Sequence, residues 1–72
     1  MIKTGIYKHY KGGIYKVICI SKHSETLEDL VVYEALYDNQ TSKFWARPIS
    51  MFSDTVEVDG VSIPRFEFIS EQ

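Results

Sequence analysis

Short runs of Ile, Val, Tyr and Phe, broken at regular intervals by glycine-bearing turns, constrain this chain more than any other feature. Ile6 to Tyr10 and Ile14 to Ile20 flank Lys11-Gly12-Gly13, whose glycines can take the positive φ of a tight hairpin turn. Val56 to Ile63 repeats the design: valines alternate with acids, Asp59-Gly60 is a type I′ signal, and Val61 and Ile63 alternate with Ser62. Two hairpins in so short a chain predict an antiparallel all-β domain.

The intervening segments fit that reading. Residues 22–28 are polar and acidic and read as a loop. For residues 24–37 a helix has Ser24 as a cap and Glu, Ala and Leu in its favour, but the Val31-Val32-Tyr33 cluster prefers a pleated surface, so 29–37 is read as a strand. Residues 38–42 form a turn, 43–47 a strand stopped by Pro48, and 49–54 a single helical turn. Pro64 precedes a last strand, 65–69, with Phe66 and Phe68 on one face. One strongly bent sheet closing on itself into an SH3-like barrel is the economical arrangement, because closure removes exposed edges.

Size restricts function. Seventy-two residues make one domain, 1–72, whose core supplies about 3–5 kcal/mol, too little to support an elaborate strained catalytic site. Of the residues, 44% are hydrophobic and 25% charged, the balance of a chain that folds. Cys19 is the single cysteine, so no internal disulfide forms; its apolar strand marks it as a small core residue. No Cys/His spacing resembles a metal site and no cofactor is expected. With no signal-like N-terminus and no apolar run of about eighteen residues, a cytoplasmic protein without membrane association is expected.

The net charge of −2 is uneven: residues 1–22 carry +5 and no acid, whereas residues 23–72 carry −7. Basic and acidic strands facing each other across a sheet account for this, and a local phosphate-attracting patch on the N-terminal hairpin is the alternative. The chain has no phosphate-cradling glycine loop, no nucleophile elbow and no recognisable carboxylate pair. Enzymatic motifs are absent, so catalysis is not assigned.

The residues with chemistry to offer are aromatic and basic. Trp45 and Arg47 share one face of their strand, and Phe44 and Ala46 share the other. Trp45 either faces out beside Arg47 as a recognition surface, or fills the barrel mouth while Arg47 pairs with an acid such as Glu34. A groove gathering Tyr7, Tyr33, Trp45 and Phe52 could stack a base, hold a cation or accept a peptide. His9, Lys11, His23, Glu25, Arg47 and Arg65 are its candidate polar members, with Arg47 or Arg65 clamping a carboxylate or phosphate bidentately.

Taken together, GIYKHYKGGIYKV (5–17), HSET (23–26), LVVYEALY (30–37), FWARP (44–48), MF (51–52) and DGVSIPRF (59–66) resemble the small bacterial family catalogued as domain of unknown function 1653. The matching positions are Tyr7, His9, Tyr10, Lys11, His23 to Thr26, Trp45, Arg47, Pro48, Met51, Phe52, Arg65 and Phe66. The resemblance implies a compact stand-alone β domain and carries no established activity. The leading expectation is a non-catalytic binding module, monomeric or homodimeric, for a small ligand, a peptide or single-stranded nucleic acid. The alternatives are an oligomeric protein with its aromatic patch in a subunit interface, nucleotide or nucleic-acid binding through the basic hairpin, and a small hydrolase using His23, Glu25 and His9.

Overall fold

Alternation of apolar and polar residues sets which side of each strand is buried. In the computed structural model, which describes residues 2–38 and 41–71, seven strands and one short helix follow in the order β1 (Gly5–His9), β2 (Ile14–Lys22), β3 (Asp29–Ala35), β4 (Phe44–Pro48), α1 (Ile49–Phe52), β5 (Thr55–Val58), β6 (Val61–Pro64) and β7 (Phe66–Ser70). The expected strand at 29–37 forms over Asp29–Ala35, as its β-branched cluster predicts, and stops before Leu36 and Tyr37, which lie in a bend. The turn expected at 38–42 includes Asn39 and Gln40, which lie outside the described residues.

Antiparallel pairing gives a five-stranded sheet in the order β4-β3-β2-β1-β7 and a separate two-stranded ribbon, β5-β6. Among the described residues neither sheet closes on itself. The expectation of a hydrogen-bonded barrel is therefore met only as an all-β, antiparallel fold with open edges at β4 and β7. The gap is spanned by side chains. Phe52 of α1 stacks on Phe66 of β7 at 4.2 Å with ring planes 7° apart, and Arg65 grips Asp54 with Nε–Oδ1 at 2.7 Å.

Tyr7, Val17, Val31, Tyr33, Phe52 and Phe66 form the core. They are the inward alternates of β1, β2, β3 and β7 together with the plug from α1, so the period-2 pattern decides the core directly. Tyr7 also donates its hydroxyl proton to the Lys3 carbonyl at 2.8 Å, tying the N-terminal residues to the sheet.

Cys19 departs from expectation: it is exposed. Val17 faces Tyr33 and Cys19 faces Val32, so Ile18 is an extra residue in a β-bulge. The bulge exchanges faces beyond it, turning Cys19 outward with Val32 and Ile20 inward with Val31. Simple alternation along 14–20 cannot anticipate that change of phase.

The β5-β6 ribbon turns at Asp59-Gly60, with φ of 52° and 79°, the two left-handed residues of the expected I′ turn. Gly5 begins β1 where the backbone of β7 runs so close that a Cβ would collide with the Ser70 carbonyl.

Candidate functional site

The ten candidate residues separate into three groups. Tyr7, Tyr33 and Phe52 are core residues, 6%, 4% and 1% exposed, and offer no face to a ligand. The groove expected from them does not exist as an open surface. Trp45 stands opposite Tyr33 in the β3-β4 register and packs half-buried against the core, while Phe44 and Ala46 are exposed. Its indole N–H is buried with no acceptor among the described residues.

His23 and Glu25 lie in the β2-β3 loop. The His23 Nδ1 accepts hydrogen bonds from the backbone N–H groups of Glu25 at 3.1 Å and Thr26 at 3.3 Å, and the Leu27 N–H donates to the His23 carbonyl at 2.9 Å. The His-Ser-Glu-Thr stretch is thus a self-capped turn that delivers Leu27 in the left-handed region, φ 64°. His9 lies beyond the other end of β2, and eight residue steps of strand at about 3.3 Å each separate the two histidines by roughly 25 Å of contour. A catalytic grouping of His9, His23 and Glu25 finds no support in this arrangement.

His9, Lys11, Arg47 and Arg65 do come together. Inward alternation places His9 two residues after Tyr7 on β1 and Arg47 two residues after Trp45 on β4, both on the concave side of the sheet. Phe66 lies between them: the His9 ring meets it edge-on at 4.8 Å and the Arg47 guanidinium lies 5.5 Å over it. Tyr15 packs against the same ring at 5.7 Å. Tyr15 and Tyr37, joined by a hydroxyl–hydroxyl contact of 2.6 Å, wall a groove of about 500 Å³ that His9, Lys11, Gly12, Gly13, Ile14 and Leu36 complete. A Cβ on Gly13 would sit 3.1 Å from the Tyr15 ring and 3.2 Å from that of Tyr37, so glycine there lets the tyrosines lie over the turn.

The two arginines differ in what they hold. Arg65 binds Asp54 through Nε and Nη2, which holds the Asp54 carboxyl below the usual carboxylate range and raises the Arg65 guanidinium. Arg47 forms no ion pair with a carboxylate among the described residues, although its charge helps lower the Asp54 pKa. The pairing with Glu34 is not formed because Arg47 shares the inward face with its neighbour Val31, whereas Glu34, opposite Phe44, is on the outward face and bonds Lys43 at 3.3 Å. His9 accepts the Lys11 N–H at Nδ1, 3.1 Å away, so its neutral ring carries its proton on Nε2 and leaves that N–H as a donor. Burial, then the charges of Arg47, Arg65 and Lys11, lower the His9 pKa and favour this neutral form. Burial, reinforced by the bond to Tyr37, pushes Tyr15 up to about 12, so its hydroxyl stays protonated.

The remaining lysines of the basic hairpin are largely answered by acids. Lys8 stands opposite Glu67 and Lys16 opposite Glu34 in the sheet, and Lys22 bonds Asp29 at 2.7 Å. Such cross-strand pairing accounts for the uneven charge distribution and weakens the case for a phosphate-tracking patch. No group of three or more His, Cys, Asp or Glu that could hold a metal occurs among the described residues, and no helix there is long and apolar enough to cross a membrane.

Sequence reasoning missed Tyr15, Tyr37 and Gly13. Tyr15 was accessible from its alternation with Val17 on β2, whereas the position of Tyr37, beyond the end of β3, follows only from the packing of two turns against each other.

Among curated proteins no sequence is a significant match. A crystal structure of a DUF1653 protein from Bordetella bronchiseptica matches this fold with a TM-score of 0.93 at 30% sequence identity, covering 99% of this chain and 91% of that one. Residues 5–68 match the family described as protein of unknown function (DUF1653), which includes His9, Arg47, Phe66 and every other residue of the cluster, and the chain belongs to that family.

Proposed function

We propose that this chain is a non-catalytic binding module that takes a small anionic ligand, or the acidic end of a larger one, at the notch where His9, Tyr15 and Arg47 meet over Phe66. The observation that carries this reading is Arg47: a half-buried residue on the concave face, its guanidinium over an aromatic ring and ion-paired with no carboxylate among the described residues. Its planar fork suits bidentate contact with a carboxylate or phosphate, and the stacking fixes the fork before a ligand arrives. The Nε2–H of His9 supplies a second donor beside it. The tyrosine-walled groove would receive the apolar or flat part of the ligand, within the ordinary size range of small-molecule sites. The scaffold is read as a cytoplasmic SH3-like barrel, open in its hydrogen bonding and filled across the gap by Phe52 and the Asp54–Arg65 bridge.

Nuclear magnetic resonance titration tests this directly, following the Arg47 Nε–H, the His9 ring and the Trp45 indole N–H while inorganic phosphate, a mononucleotide, benzoate and an acidic peptide are added in turn. Saturable shifts at Arg47 and His9, lost in a folded Arg47→Met variant, are expected for at least one probe. Absence of saturation at Arg47 with every probe up to about 10 mM, beyond the weak end of specific binding, would overturn the proposal.

A further inference from the structure

The strand that carries Arg47 has a second free feature: its outer edge. β3 and α1 are the elements packed closely against β4, and the sheet order ends there. The Ala35 N–H donates to the Lys43 carbonyl at 2.8 Å, so in this antiparallel pair the backbone groups of residues 43, 45 and 47 point toward β3. Those of Phe44 and Ala46 point away from the sheet, where no strand of the described residues meets them. The Phe44 carbonyl already accepts the Ser42 hydroxyl at 2.6 Å, and the Pro48 carbonyl, at the N-cap of α1, accepts the first backbone bond of that helix. Phe44 is 54% exposed and Ala46 is exposed. An uncovered edge of this kind is a template for another strand.

We infer that the β4 edge is a homodimerisation surface on which a second copy of this chain adds its own β4, antiparallel and centred on Ala46. Self-complementarity selects this occupant and this register. With Ala46 opposite Ala46, the two residues exchange both N–H···O bonds, and each Phe44 N–H meets the second lone pair of the Pro48 carbonyl on the other copy, the first being held by α1. Pro48 has no N–H to offer, which ends the pairing there. Phe44 then lies beside Pro48 on one face, and Trp45 lies opposite Arg47 on the other, an aromatic–cation pair made twice.

Neighbouring registers are worse. Centring on Trp45 sets Lys43 opposite Arg47 twice, and centring on Arg47 sets the two guanidinium groups opposite each other. Centring on Phe44 leaves Arg47 and Pro48 unpaired. Only the Ala46 register uses the whole of β4 without opposing like charges. The backbone edge lies outside the proposed ligand notch, but the pair with Trp45 draws on the notch residue Arg47, so the test is placed at Ala46, which the notch does not use.

Sedimentation equilibrium over a range of concentrations, with Ala46→Lys, Ala46→Glu and an equimolar mixture of the two, tests the surface and the register together. The wild-type chain is expected to form a dimer that dissociates on dilution, and each single variant to dimerise at least about tenfold more weakly, because like charges then face each other across the axis. Mixing the two variants sets a lysine opposite a glutamate at the axis and restores the dimer. Circular dichroism verifies that each variant folds, and Ala46→Pro supplies a second probe: it removes only an outward N–H and should also yield a folded monomer. A wild-type monomer at every concentration to about 1 mM, or lysine and glutamate variants that dimerise as well as wild type, would overturn the inference.

Discussion

The two ends of β2 each lie beside a histidine, and the two histidines do the same local work in opposite surroundings. At one end, His9 accepts a backbone N–H from the Gly12 turn while its ring packs on Phe66 and Tyr10, with Arg47, Arg65 and Lys11 near enough to disfavour its charge. At the other, His23 accepts two backbone N–H groups in a loop whose next residues, Ser24 to Glu28, are all exposed. A shared residue type and a shared hydrogen-bonding role therefore say little about function. What separates the two is the aromatic floor and the uncommitted cation, both contributed by strands distant in sequence.

The largest test of this contrast removes the floor. Phe66→Ala should destabilise the domain by about 3–5 kcal/mol, since it deletes the partner of Phe52, Tyr15, Tyr33, His9 and Arg47 together and leaves a cavity. His23→Ala at the opposite end should lose about 0.5–2 kcal/mol, the range for deleting a side-chain acceptor of orphan backbone donors. Urea unfolding followed by Trp45 fluorescence compares them: Phe66→Ala should keep little or no folded baseline, because its loss matches what the core supplies, whereas His23→Ala should keep a cooperative transition. Equal losses would erase the distinction between a core-anchored and a loop-anchored histidine.

A smaller effect appears with pH. The His9 pKa is lowered in the folded chain, so below about pH 6.5 the unfolded state binds the proton first and stability falls as pH drops from neutrality toward the folded value. Protonation also removes the Nδ1 lone pair that accepts the Lys11 N–H. Asp54, likewise lowered, adds its loss only in the more acidic carboxylate range. The decline in thermal midpoint between about pH 7.5 and about pH 5.5 should flatten in His9→Gln, and an unchanged decline would show that His9 is no more perturbed than an exposed histidine.

The smallest effect belongs to the loop end. Lys22 and Asp29 bond at 2.7 Å across the base of the His23 loop, with side chains 65% and 45% exposed. Asp29→Asn should change stability by about 0–1 kcal/mol and lose even that at high salt. A larger, salt-resistant loss would mean that the loop end is held as firmly as the His9 end.

Much of the fold was legible before any coordinates. Gly12 and Asp59-Gly60 mark turns because only a few residues tolerate positive φ, and Val31, Tyr33 and Ala35 mark an inward face because strand side chains alternate. The site was legible only in part. His9, Arg47 and Arg65 stood out by type, yet nothing local separates the Arg65 that Asp54 occupies from the Arg47 left open, or the buried Tyr7 from the groove-lining Tyr15.

The sequence by itself determined the strands, their turns and most of the inward faces, because backbone sterics and period-2 burial act over a few residues. The tertiary structure alone decided that the sheet stays open at β4 and β7, that a bulge at Ile18 turns Cys19 to solvent, and that Phe66 gathers His9 and Arg47 across 38 residues of sequence. Those outcomes depend on register and on packing between distant strands, which no local pattern encodes.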